Sequence, residues 1–151
     1  MYERIYESPI GKILIRANES AVTYLIFIDG GYEPAPGNAV TDFCAAELDE
    51  YFRGNLREFK TPLSLSGTPF RMKIWGELMK IPYGAAISYK ELARRAGNPK
   101  ASRAVGGANH HNPIWIIVPC HRVIGADGKL TGYGGGLWRK EWLLEHEGAE
   151  K

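Results

Sequence analysis

The chain has 151 residues, of which 44% are hydrophobic and 24% charged, and a formal net charge of +2. That is the balance of a folded chain forming one ordinary domain or two small ones. No apolar run approaches the roughly 20 residues a membrane-spanning helix needs, and Met1-Tyr2-Glu3-Arg4 does not open a signal peptide. A cytoplasmic protein that avoids membranes is therefore expected. The two cysteines, Cys44 and Cys120, form no CxxC pair. A zinc–thiolate site therefore lacks ligands, and a cytosolic setting disfavours a disulfide between them.

The chain opens with three β-rich segments, Tyr2–Tyr6, Lys12–Ala17 and Val22–Ile28. Turn-rich Ser8-Pro9-Ile10-Gly11 and Asn18-Glu19-Ser20 join them, which predicts a meander. A loop through Gly30-Gly31 and Pro34-Ala35-Pro36-Gly37 leads to a helix over Thr41–Phe52. Phe43, Leu48, Tyr51 and Phe52 are its residues for the sheet, and Cys44 is a small buried hydrophobe on it. Residues 1–62 form an N-terminal α/β cap with no catalytic-looking cluster of its own.

Thr61-Pro62-Leu63-Ser64-Leu65-Ser66-Gly67 is predicted to be the linker to a second domain, 63–151. There Thr68-Pro69 starts a helix, with Thr as N-cap and Pro in the first turn. Its apolar stripe is Phe70, Ile74, Trp75, Leu78 and Met79. After a short extended piece at Ala86-Ile87-Ser88 come two short helices, Tyr89–Ala96 and Ser102–Asn109, separated by Gly97-Asn98-Pro99 and Lys100. The pair is a helix-turn-helix candidate. Asp127-Gly128, within Ile124–Leu130, is a hairpin signal and suggests a wing. Trp138–His146 is the last helix, with Trp142, Leu143 and Leu144 facing inward. Charge is split unevenly: residues 1–62 carry 6 Lys+Arg against 10 Asp+Glu, and residues 63–151 carry 13 against 7. A basic second half fits a polyanionic partner, and ordinary surface variation is the competing explanation.

The chemistry concentrates at Pro119-Cys120-His121-Arg122-Val123, which follows the apolar run Ile114–Val118, read as a buried strand. The thiolate is the nucleophilic form of cysteine, and an adjacent base or positive charge raises its population. The loop Thr131-Gly132-Tyr133-Gly134-Gly135-Gly136 has little side-chain bulk and allows a ligand to approach the backbone.

Five segments resemble the O6-alkylguanine-DNA alkyltransferases, in order and spacing: SYKELA (88–93), SRAVGGA (102–108), HHNPIWIIVPCHRV (110–123), TGYGGG (131–136) and KEWLLEHEG (140–148). The match covers 68–148, and the first 62 residues agree only in outline. The resemblance implies an α+β protein: a small antiparallel-sheet, ribonuclease H-like N-terminal domain followed by a winged helix-turn-helix domain. It also implies a monomer that moves the alkyl group of O6-alkylguanine, and more weakly of O4-alkylthymine, in double-stranded DNA irreversibly onto its own Cys120. No cofactor is needed. Some relatives hold structural zinc in the first domain, but here no histidine precedes His110 and only Cys44 lies there, so no metal is expected.

The same resemblance assigns roles by position. His121 is the base, acting through a water, and Glu147 steadies the imidazolium. Tyr89 donates to guanine N3, and Asn112 braces the cysteine turn. Arg103 enters the stack from the minor groove as the base flips out. Ser102 and the small residues Ala104, Gly106, Gly107 and Ala108 let the second helix approach a narrow groove, while Arg94, Arg95 and Lys100 meet phosphates. Tyr133 and Gly134 close the base pocket, and the carbonyls of Cys120 and Val123 receive the guanine amino group. Some relatives carry a side chain where Gly134 stands. Blander readings exist for five of these roles: a structural His121, a solvated acidic edge for Glu145, Glu147 and Glu150, a core aromatic for Tyr89, a turn residue for Asn112, and a phosphate contact for Arg103. Two rival functions fit parts of the same sequence. One is a winged-helix damage sensor without chemistry, against which Cys120 argues. The other is a thiol hydrolase, against which the adjacency of Cys120 and His121 argues.

Overall fold

In the computed structural model, which describes residues 1–125 and 127–149, the alternating opening of the chain forms an antiparallel meander. Its strands are β1 (Tyr2–Ser8), β2 (Gly11–Ala17) and β3 (Val22–Ile28), in that spatial order. Ile13, Leu14 and Ile15 of the central strand are all buried, so both faces of β2 are covered. Helix α1 (Ala39–Phe52) packs on β1 and β2. It starts earlier than the apolar spacing predicts because Asn38 and Thr41 form a reciprocal cap, each side chain bonding the other's backbone N–H at 2.9 Å. Cys44, Leu48, Tyr51 and Phe52 face inward, but Phe43 is 47% exposed. Phe43 is one residue, roughly 100° of helix rotation, away from the Cys44 face.

The chain divides into two units, Met1–Leu65 and a second beginning at Ser66. The first part of the predicted linker is not loose. Leu63 forms a parallel bridge to Val22; Val22 N–H donates to the Pro62 carbonyl, and Ser64 N–H to the Val22 carbonyl, each at 2.9 Å. The buried Glu47 carboxylate holds this clip by accepting from Lys60 N–H, Thr61 N–H and the Thr61 hydroxyl. Composition announces a Pro- and Ser-rich connector; it does not reveal a carboxylate on α1 that collects its donors.

In the second unit α2 (Pro69–Leu78) is capped by Thr68, whose hydroxyl accepts from Arg71 N–H. Ile74, Trp75 and Leu78 are buried, while Met79, at the C-cap, is 47% exposed and Phe70 only partly covered. Trp75 donates from its indole to the Ala108 carbonyl at 2.9 Å, tying α2 to α4 (Ser102–His110). Between them, β4 (Ile87–Ser88) leads into α3 (Tyr89–Arg95), which packs on α4. The chain ends in α5 (Leu137–His146), which buries Leu143 and Leu144 and leaves Trp142 half-buried.

Two elements differ from expectation. Ile114–Val118 is a sequence of tight turns, and Cys120–Arg122 is a short 3-10 turn. The wing is also reduced. β5 (Val123–Ile124) pairs in parallel with β4, and beyond it Gly125 and Lys129 close a turn at Asp127-Gly128 with no second strand among the described residues. Asp127 Oδ1 accepts from Lys129 N–H at 3.1 Å, taking a donor that a ladder would use. Ala126 of the predicted hairpin lies outside the described residues. No helix among the described residues is long and apolar enough to cross a membrane.

Replacing Glu47 by Ala strands the Lys60 and Thr61 amides, so E47A is expected to lose about 2–3 kcal/mol in urea unfolding. Phe43→Ala, on the exposed side of the same helix, is expected to stay within about 0.5 kcal/mol of the parent.

Candidate active site

Asn112 organises the segment that presents Cys120. Its Nδ2 donates to the Val118 carbonyl at 2.9 Å, its Oδ1 accepts from Ile114 N–H at 3.0 Å, and its own carbonyl accepts from the Trp115 indole at 2.9 Å. Inside that brace Ile117 N–H bonds the Trp115 carbonyl across Ile116, whose φ is +70°. This is the positive-φ form of γ-turn, rare even for flexible residues and unfavourable for a β-branched one. Next comes an inverse γ-turn at Pro119 (φ −82°, ψ 65°), closed by Cys120 N–H on the Val118 carbonyl at 2.8 Å. Strain of this kind persists only where the surroundings over-determine it; here the Asn112 bonds and the burial of Ile114, Ile116, Ile117 and Val118 do so.

Cys120 and His121 are both buried. His121 Nε2 lies 2.8 Å from Glu147 Oε2. A carboxylate only accepts, so Nε2 carries the hydrogen and Nδ1 is left as an acceptor. Among the described residues that Nδ1 has no hydrogen-bond partner. Glu147, at the C-cap of α5, is shared: Arg122 donates to it from Nε (2.7 Å) and Nη2 (3.0 Å), and from Nη1 to the Ile81 carbonyl (2.7 Å). Burial alone would raise the Glu147 carboxyl, but His121 and Arg122 outweigh it and hold it well below the ordinary carboxylate range. Burial pushes His121 below its usual value against the pull of Glu147.

Burial also pushes the Cys120 thiol up to about 11, although Asn112 and Lys140 oppose this. The resting nucleophile is a protonated thiol beside a neutral imidazole. Cys44, the other free cysteine, is pushed by burial to about 12, with the Glu47 carboxylate adding to the rise.

A second cluster adjoins the first. Tyr89 heads α3, and its hydroxyl accepts from the Thr131 hydroxyl at 3.1 Å. The Tyr133 ring lies 5.6 Å from that of Trp115, and its buried hydroxyl has no partner among the described residues. Gly134 lies flat on Trp115: a Cβ there would come within 2.5 Å of the indole. Val123 is fully buried, and the Cys120 carbonyl accepts a long 3.4 Å bond from Asn109 Nδ2.

The outer residues divide by orientation. On α4, Arg103, Ala104 and Gly107 are exposed and Ser102 is partly so, whereas Ala108 is buried and Gly106 lies against the Tyr89 ring. On α3, Glu91 pairs with Arg94 at 2.6 Å and Arg95 at 2.7 Å, which hold its carboxyl down to about 2. Lys100 is exposed. Sequence reasoning missed Arg122 and Lys140 as site residues. Arg122 stands inside the Cys-His motif itself. Lys140 falls on the inward stripe of α5 with Leu143, Leu144 and Glu147, a helical spacing that marks it.

Comparison with known proteins gives a consistent result. Residues 1–65 match the ribonuclease-like domain of 6-O-methylguanine DNA methyltransferase, and residues 69–149 match the DNA binding domain of the same family. The chain is 48% identical to a methylated-DNA–protein-cysteine methyltransferase of Methanosarcina acetivorans, with 99% of each chain covered. It is 50% identical to the protein of that name from Mycobacterium leprae, over 95% of this chain and 90% of the other. It is also similar to a crystal structure of Mycobacterium tuberculosis OGT in complex with DNA: TM-score 0.91, 47% identity, 98% of this chain and 93% of that one.

Replacing Glu147 by Gln leaves the buried Arg122 charge without its partner, so E147Q is expected to lose about 3 kcal/mol at neutral pH. The folded Glu147 carboxyl titrates below its unfolded value, so its contribution is complete above about pH 4.5 and is lost as pH falls further. Stability between about pH 5 and pH 2 should therefore fall more steeply in the parent than in E147Q, as read by urea unfolding at each pH.

Proposed function

The chain belongs to the 6-O-methylguanine DNA methyltransferase family, and from that premise we propose how its own residues carry out the reaction. The protein is a methylated-DNA–protein-cysteine methyltransferase that repairs double-stranded DNA by direct, single-turnover alkyl transfer from O6-alkylguanine. The acceptor is Cys120. The observation that carries this reading is a buried thiol next to a histidine that bonds a buried carboxylate 2.8 Å away and keeps its other nitrogen as an unused acceptor.

The steps balance without a cofactor. His121 Nδ1 takes the thiol proton through a bridging water, and Glu147 stabilises the imidazolium. The sulfur attacks the alkyl carbon, the S–C bond forms, and the C–O6 bond breaks. The electron pair stays on the guanine, and the proton lost by the thiol is the one the released guanine gains. Tyr89 assists at N3: its oxygen already accepts from Thr131, so its own hydrogen is available to an incoming base. Tyr133 and Trp115 wall the base, and Gly134 offers main chain rather than a side chain. The carbonyls of Cys120 and Val123 receive the guanine amino group.

The target atom lies inside a duplex, so the nucleotide must leave the stack. Arg103 fills the vacated place, reaching in from the first turn of α4, which has no side-chain cap and keeps its N–H donors free for a phosphate. Ser102 joins these contacts. Ala104 and Gly107 are the small residues on the exposed face, so they allow the close approach to the minor groove. Ala108 serves the core instead, and Gly106 seats Tyr89. Lys100 is the freer phosphate contact, while Arg94 and Arg95 reach DNA only by loosening their hold on Glu91. The cytoplasm fits as the working compartment because both cysteines are free thiols, the state that a reducing environment maintains.

Incubation with duplex DNA bearing O6-methylguanine should add one methyl to the peptide containing Cys120 and then stop at one per protein, as weighed by mass spectrometry. No gain, or repeated turnover, would refute the assignment. C120A should bind DNA and transfer nothing. R103A should slow transfer from duplex DNA far more than reaction with free O6-benzylguanine, and equal losses on both would remove the flipping role.

A further inference from the structure

Lys140 is wholly buried, and the roles proposed above leave it unused. It projects from the inward stripe of α5, and α5 packs on the turn that carries Cys120. Its ammonium makes a 2.7 Å hydrogen bond to the Thr131 carbonyl and lies 5.8 Å from the centre of the Tyr89 ring. The Thr131 hydroxyl donates to Tyr89 in turn. An ammonium has three donors, and burying one against a single carbonyl and the face of a ring is costly unless an anion completes the arrangement. No carboxylate among the described residues forms an ion pair with it. The groups facing it are Cys120 and His121 from the 3-10 turn, Tyr89 from α3 and the Thr131 carbonyl from the loop before α5. Of these, only Cys120 becomes an anion in the reaction.

We infer that Lys140 is a positioning residue for alkyl transfer: a built-in counter-cation that receives the Cys120 thiolate and, through Thr131, fixes the hydroxyl of Tyr89. The inference rests on Cys120 being the acceptor. Electrostatics agree in both directions. Lys140 pulls the thiol down against its burial, and Cys120 pulls Lys140 up against the burial that lowers it. Lys140 also disfavours the charged form of His121, a cost at the imidazolium that Glu147 opposes.

The test uses the whole protein. Thiolate absorbance, taken as the difference between the protein and its C120S variant, gives the pH at which Cys120 ionises. K140M should move that pH upward and slow methyl transfer from O6-methylguanine duplex by roughly tenfold for each pK unit gained. K140R, which keeps the charge, should restore ionisation to near the parent pH and recover most of the rate. A reciprocal measurement needs no change at Lys140: the ionisation of its ε-amine, followed by carbon-13 NMR at the ε-carbon, should fall to lower pH in C120S. If Cys120 ionises at the parent pH in K140M, or Lys140 titrates identically with and without the thiol, the inference is overturned. Neither titration involves DNA. An absence of methyl transfer in the parent would instead count against Cys120 as the acceptor.

Discussion

Everything at the reactive centre depends on a single buried carboxylate. Glu147 is claimed by His121 through one oxygen and by Arg122 through both, and Arg122 also reaches the Ile81 carbonyl just beyond α2. A lone buried carboxylate would become protonated, and a protonated Glu147 would no longer fix the tautomer of His121. Arg122 prevents this by supplying a permanent charge with planar, forked geometry, which an ammonium would not match. The guanidinium thus does its work at one remove. It keeps the acid ionised so that the acid can orient the base.

The second constraint is geometric. A strand presents side chains alternately to two faces, whereas the thiol must leave the backbone at one defined angle inside a closed site. The chain achieves this with two consecutive γ-turns and a 3-10 turn, held by the three bonds of Asn112. The apolar run Ile114–Val118 supplies the burial that makes an unfavourable Ile116 tolerable. Asn112 and the isoleucines are therefore one device, in which polar bonds set the path and apolar packing holds it.

This division explains what the sequence discloses. The meander, α1 to α5 and the inward residues Leu48, Tyr51, Ile74, Trp75, Leu143 and Leu144 follow from local periodicity, which reports burial directly. Cys120, His121 and Asn112 stand together in one motif, and Glu147 follows from the resemblance of its segment. What stays hidden depends on partners distant in sequence. An apolar run of five is equally compatible with a strand and with a packed turn, and only the side-chain bonds of Asn112 decide between them. Glu47 as the holder of the Lys60–Ser64 clip, Arg122 as the partner of Glu147 and Lys140 beneath Tyr89 are all charges inside the fold. Composition counts these as ordinary surface. The outward Phe43 and Met79 are the converse case, apolar residues that a stripe assigns to the core and the helix phase rotates away.

The resting state of Cys120 gives the reaction a form of latency. A thiol that is 4% exposed and pushed up to about 11 is a poor nucleophile and a poor target for stray electrophiles or oxidants. For an enzyme that cycles, such quietness would only slow turnover. For a protein consumed by its own product it sets the useful lifetime of each molecule, because every adventitious alkylation is as final as a repair. Selectivity then lies less in the shape of the pocket than in when the sulfur is allowed to become an anion. A thiol held quiet by its burial spends fewer molecules on chance encounters and leaves more of them for repair.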